Sequence, residues 1–134
     1  MRRMPRSCRW MHAMRTWNDT MDLAAIAGLP LRLDRQQGIL LAGGELSLPA
    51  PSRRTLGDLG AVLADPAIAH AEPDRVCYLL YRDVHLDSDR SLFRDHGLRY
   101  DITVLLPGTY GTEHAKTAGH VHSTSASGVS FPEV

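Results

Sequence analysis

Apolar residues in this chain come in short runs broken by glycine, proline and charge, and the period inside most runs is that of a strand. Val76-Cys77-Tyr78-Leu79-Leu80-Tyr81-Arg82 is rich in strand formers, and simple alternation puts Tyr78 and Leu80 on one face with Cys77, Leu79 and Tyr81 on the other. Tyr100-Asp101-Ile102-Thr103-Val104-Leu105-Leu106 is the strongest strand in the sequence, and Pro107-Gly108 ends it with a turn. Leu29 to Leu33 and Ile39-Leu40-Leu41, separated by Gln36-Gln37-Gly38, predict a hairpin. Leu46 to Pro51 is extended and punctuated by proline, and Gly111 and Gly119 frame a further short strand.

Helical spacing is confined to brief stretches. Asp22 to Gly28 reads as one or two turns ended by glycine. Thr55 is a good N-cap with Asp58 three residues on, and Leu56, Leu59, Val62 and Leu63 form one apolar face. That spacing predicts a helix over 56–64, stopped by Asp65-Pro66. The charged segment from Asp83 to His96 is expected to be a loop with a short helix from Ser91, ended by Gly97. Strands joined by tight turns, with one helix ahead of them, predict a mainly β, antiparallel architecture closed or open as a barrel.

Composition narrows the functional classes. Fifteen basic and fifteen acidic residues cancel, so overall charge recruits neither nucleic acid nor an anionic membrane. No apolar run approaches the roughly 20 residues that span a bilayer. The first twenty residues carry Arg2, Arg3, Arg6, Arg9 and Arg15 with Trp10 and Trp17 but lack the apolar segment of a secretory signal. They are expected to be a disordered leader to a domain over 21–134, and Met21 is a second candidate start. Cys8 and Cys77 sit in unlike contexts, which argues against a disulfide framework and for a reducing cytoplasm. Cys77 reads as a small buried thiol. Ser123 to Gly128 reads as a flexible loop.

Candidate chemistry concentrates near the end of the chain, in Thr117-Ala118-Gly119-His120-Val121-His122. An extended backbone turns His120 and His122 to one side, where two imidazoles can meet one metal ion, and Glu133 offers a third ligand. On spacing alone a His-x-His pair is more often a surface accident or a pair of hydrogen-bonded side chains. His12, His70, His85, His96 and His114 lack partners at ligand spacing and are expected on the surface, and Glu113 is either an assisting carboxylate or an exposed one.

Taken as one block, Arg99 to Gly108, then Glu113, Lys116-Thr117-Ala118-Gly119-His120-Val121-His122 and Pro132-Glu133-Val134, with Cys77 to Asp83 upstream, resembles the cupin-type glucose-6-phosphate isomerases. These are the metal-dependent isomerases of archaea and some bacteria. The likeness runs from about Asp22 to the end, with its specific motifs from Tyr78 onward. It implies a cupin-like antiparallel β-barrel, incomplete at the C-terminus, with one or two short N-terminal helices. It implies metal ligands at His120, His122 and Glu133, and substrate-phosphate contacts at Tyr78, Thr103, Thr117 and Gly119. Glu133 is also where the family's proton-transferring carboxylate falls. The resemblance further implies a divalent metal (Fe2+ first, then Mn2+, Ni2+ or Zn2+), a sugar phosphate substrate, a cytoplasmic homodimer and a place in glycolysis or gluconeogenesis. Family members continue past this glutamate to a later histidine ligand, whereas this sequence stops at Val134. A non-catalytic, truncated cupin that binds metal or sugar phosphate is therefore the alternative expectation, and an iron oxygenase a third.

Overall fold

Antiparallel pairing joins every strand of the computed structural model, which describes residues 19–119 and Gly128. Near the start, β1 (Thr20–Asp22), β2 (Leu31–Asp34) and β3 (Ile39–Ala42) form one sheet, with the short helix α1 (Ala24–Ala27) between the first two. The β2–β3 hairpin is the expected one. Asp34 Oδ1 accepts from the backbone N–H groups of Gln36 and Gln37 at 2.9 Å, and Gly38 takes the left-handed conformation (φ 66°) that closes the turn. β1 begins at Thr20, which pairs with Asp34, so this strand takes in the last residue of the expected leader. Residues 1–18 lie outside the described part.

A two-stranded pair follows, β4 (Leu46–Ser47) with the later β7 (His85–Leu86). β5 (Ser52–Thr55), β6 (Val76–Tyr81) and β8 (Ile102–Leu105) form the sheet that positions the site, with β6 in the middle. The last hairpin pairs β9 (Thr109–Tyr110) with β10 (Glu113–His114) around Gly111, whose φ is 62°. None of these sheets closes into a barrel among the described residues. The architecture is mainly β with short helices, as an open cupin-like fold requires.

The helix expected over 56–64 is shorter and changes character. α2 (Leu56–Leu59) starts at Thr55, whose backbone N–H donates to Asp58 Oδ2 at 2.8 Å, and then tightens into a 3-10 turn at Gly60–Val62. Gly57 and Gly60 weaken α-helical preference in the middle of the run. Leu56, Leu59 and Leu63 are buried as the spacing predicts, but Val62 is 42% exposed. Asp65-Pro66 does more than stop that helix: Asp65 Oδ1 accepts from Ala67 N–H at 3.0 Å, and α3 (Ala67–Ala71) begins there. α4 (Arg90–His96) ends at Gly97 in the left-handed conformation, as expected.

Two apolar clusters hold these elements. One, of Leu31, Leu40, Leu46, Leu79, Tyr81 and Val84, joins the β2–β3 hairpin to one face of the β5–β6–β8 sheet, and Tyr81 Oη accepts from Leu40 N–H across it at 2.9 Å. The other gathers Leu56, Leu59, Leu63 and Ala69 against Cys77, Tyr78 and Tyr110. Simple alternation placed Cys77 with Leu79 and Tyr81. Instead the register slips between Arg54 and Thr55, leaving Cys77 with no partner in β5, and this bulge lets Cys77 and Tyr78 enter one cluster. Cys77 is a buried free thiol, as expected.

One of the five histidines expected at the surface is inside. His85 is 5% exposed, with its Nδ1 3.0 Å from the Leu86 carbonyl and its ring tilted against Phe93. His70, His96 and His114 are exposed, and His12 lies outside the described residues. Among the described residues no helix is long and apolar enough to cross a membrane.

Candidate functional site

The β5–β6–β8 sheet has one dry face and one open face. Leu79, Tyr81, Ile102 and Val104 turn into the cluster shared with the hairpin. On the other face two cross-strand rows run side by side, Ser52–Leu80–Thr103 and Arg54–Tyr78–Leu105. Residues directly opposite in an antiparallel pair share a face, so the register alone fixes this grouping. Ser52, Arg54, Thr103 and Leu105 on it are exposed.

Tyr78 and Thr103, two of the expected substrate contacts, therefore lie together. Tyr78 pairs with Leu105, two positions along from Thr103, and such diagonal neighbours stand roughly 7–8 Å apart. Tyr78 sits where the open face meets the α2–α3 cluster, 6% exposed, with its ring packed and one end of the face free beside it.

The other two, Thr117 and Gly119, are on a segment that belongs to no strand. The expected strand between Gly111 and Gly119 is limited to Glu113–His114, and 115–119 follow without regular structure. This segment is nonetheless tied down. Ala115 N–H donates to the Gly108 carbonyl at 3.1 Å, and Ala115 and Ala118 pack against the cluster that contains Tyr78. Thr117 and Gly119 are exposed on either side of Ala118.

Glu113 and Lys116 complete the fastening. Glu113 Oε2 accepts from Ala64 N–H at 2.7 Å, Glu113 Oε1 accepts from Lys116 Nζ at 2.6 Å, and the same ammonium donates to the Val62 carbonyl at 2.5 Å. The Lys116 ammonium, and then the Ala64 N–H, hold the Glu113 carboxyl below its ordinary value. Its oxygens are committed to the fold, so it acts as a structural clamp on the segment leading to Thr117.

Tyr110 lies under this segment, 2% exposed, and its hydroxyl is buried with no hydrogen-bond partner among the described residues. Burial, with the Cys77 thiol beside it, pushes the phenol well above its usual range. The thiol itself is turned to the Arg75 carbonyl at 3.6 Å, and the Arg75 guanidinium lies 5.5 Å over the Tyr110 ring.

His120, His122 and Glu133, the expected metal ligands, lie outside the described residues, as does the proton-transferring role assigned to Glu133. Two imidazoles and a carboxylate are a suitable donor set for a divalent ion with open positions. Among the described residues no group of three or more His, Cys, Asp or Glu side chains could hold a metal. A surface hollow lined by Asp22, Pro30, Arg32 and Gly43 is on the β2–β3 side and contains none of the expected site residues.

Sequence reasoning missed Arg54. Ser52-Arg53-Arg54-Thr55 reads as a polar lead-in to the helix, and only the pairing with β6 shows that it is a strand with Arg54 beside Tyr78. All four residues are polar, so the sequence offers no period-2 signal for this strand.

Comparison with known families gives a match between residues 53–134 and the model of the family described as Glucose-6-phosphate isomerase (GPI). No curated protein and no solved structure matches the chain.

Proposed function

The chain belongs to the glucose-6-phosphate isomerase family, in its cupin-type form, and from that premise we propose that it interconverts glucose 6-phosphate and fructose 6-phosphate with a divalent metal ion. The observation that supports this reading is the open face of β5–β6–β8, inside the matched region but for Ser52, on which Tyr78 and Thr103 are diagonal neighbours. A phosphate dianion can be gripped there by the Tyr78 and Thr103 hydroxyls, with Thr117 Oγ1 and the Gly119 N–H arriving from the segment fastened beside them. Fixing the phosphate end presents the sugar's C1 and C2 at a constant distance from it.

Aldose–ketose isomerisation moves one hydrogen between C2 and C1, as a proton carried by a base or as a hydride, and one proton between O2 and O1. Glu133 takes the proton from one carbon and returns it to the other, which needs a carboxylate within hydrogen-bond reach of both. His120 and His122, with Glu133, would hold the metal, and such an ion would supply Lewis-acid polarisation of the sugar's oxygens. This activity serves glycolysis or gluconeogenesis in the cytoplasm, in a homodimer.

Formation of fructose 6-phosphate by protein reconstituted with Fe2+, Mn2+, Ni2+ or Zn2+ tests the proposal. Glu133→Gln is expected to lower kcat by about a hundredfold or more, the scale of general acid–base catalysis. Metal binding without any turnover by the wild-type chain would leave the non-catalytic sugar-phosphate binder as the reading.

A further inference from the structure

The four expected phosphate contacts are all neutral donors, yet the open face carries a cation. Arg54 is the direct cross-strand partner of Tyr78, and such pairs have Cβ atoms about 4.5–5.5 Å apart. Its side chain is exposed and enters no ion pair among the described residues. The nearest carboxylate along the chain, Asp58, is taken up by the Thr55 N–H.

Other cations near the site are engaged. Arg75 is paired with Glu72, donates to the Thr109 carbonyl at 3.2 Å and covers the Tyr110 ring. Lys116 is held by Glu113 and the Val62 carbonyl. Arg53, although adjacent in sequence, pairs with Leu79 and so belongs to the opposite face. The register thus separates two neighbouring arginines of identical charge, sending one to the Tyr78 side and the other away from it.

We infer that Arg54 is a phosphate-binding residue of this site, supplying the positive charge that Tyr78 and Thr103 lack and selecting phosphorylated over neutral sugars. A guanidinium suits the task because its planar fork can present two parallel N–H donors to two phosphate oxygens. From an exposed edge strand it can also meet the incoming dianion before the neutral donors close on it. The inference rests on the sugar-phosphate reading of the site but not on catalysis by it.

Calorimetric titration of the full chain with glucose 6-phosphate, inorganic phosphate and glucose tests this directly, using wild type, Arg54→Gln, Arg54→Lys and Arg53→Gln. Arg54→Gln is expected to weaken glucose 6-phosphate and phosphate binding by about ten- to a hundredfold, the worth of a hydrogen bond between charged groups. Arg54→Lys should recover part of that loss, and Arg53→Gln should bind as wild type does. Where turnover is measurable, Arg54→Gln raises KM and leaves kcat within about twofold, as loss of uniform binding requires. Equal weakening by Arg53→Gln would show a diffuse charge effect and overturn the assignment, as would unchanged binding in Arg54→Gln. A wild-type chain that binds the sugar phosphate but does not isomerise it removes the catalytic reading and leaves Arg54 in place. A wild-type chain that binds neither phosphate compound overturns the role of Arg54.

Discussion

Thr103 on β8 stands diagonally across from Tyr78 on β6, on the face of the central sheet that the α2–α3 cluster covers only at its Tyr78 end. Thr103 is exposed, so its hydroxyl contributes nothing to packing and is free for a ligand. Thr103→Val keeps the strand-favouring shape and removes the donor. It should raise KM for glucose 6-phosphate by about tenfold or more, since a hydrogen bond to a charged group is worth about 1.5–3 kcal/mol. Thermal stability should stay within about 0.5 kcal/mol of wild type, as for other surface changes. Steady-state kinetics beside a denaturation curve checks both halves.

Tyr78 has two jobs that substitution can separate. Its ring belongs to the cluster with Leu56, Leu59 and Tyr110, and its hydroxyl is the proposed phosphate donor. Tyr78→Phe retains the ring, so it should fold normally and show a raised KM. Tyr78→Ala opens a cavity and should cost about 3–5 kcal/mol of stability, the range for removing a buried aromatic. Denaturant unfolding of the two variants distinguishes the roles.

Glu113 predicts a pH dependence. Lys116, then the Ala64 N–H, hold its folded-state pKa below the ordinary 4.5. A depressed folded pKa means that the stabilisation is complete above 4.5 and is lost as pH falls from there through the lower folded value. Glu113→Gln should therefore flatten the decline in Tm on the acid side of 4.5 while lowering Tm at neutral pH. A variant whose acid profile matches wild type would remove the clamp from the account.

The buried Tyr110 hydroxyl gives a prediction of opposite sign. A buried polar group without a partner costs about 1–3 kcal/mol, so Tyr110→Phe should stabilise the protein by up to that amount. A less stable Tyr110→Phe would mean that the hydroxyl is partnered after all, by the neighbouring Cys77 thiol or by a group beyond the described residues.

Much of the sheet was legible from alternation. The β2–β3 hairpin, β6, β8, the Thr55–Asp58 start of α2 and the Gly97 stop of α4 all follow from period and turn chemistry, because those signals are local. What escaped the sequence depends on pairing between distant strands. The bulge at Arg54–Thr55 that turns Cys77 to the Tyr78 side is a property of two strands, invisible in either alone. The same pairing made β5 a strand and put Arg54 on the site's face. His85 was expected at the surface because it lacks partners at ligand spacing, but Phe93 and the Leu86 carbonyl offer it a buried place. The resemblance named Tyr78 and Thr103 as phosphate contacts; that they share one face of the sheet comes from the register. The ligand set His120, His122 and Glu133 was read from spacing and from the resemblance, and lies outside the described residues.

Proton NMR of glucose 6-phosphate and fructose 6-phosphate, each incubated separately with the metal-reconstituted chain, addresses the central proposal most directly. Both starting sugars are expected to converge on one equilibrium mixture, and His120→Ala and His122→Ala that remain folded are expected to abolish that convergence. Two unchanged spectra from a wild-type chain shown to carry its metal and to bind the sugar phosphate would contradict it.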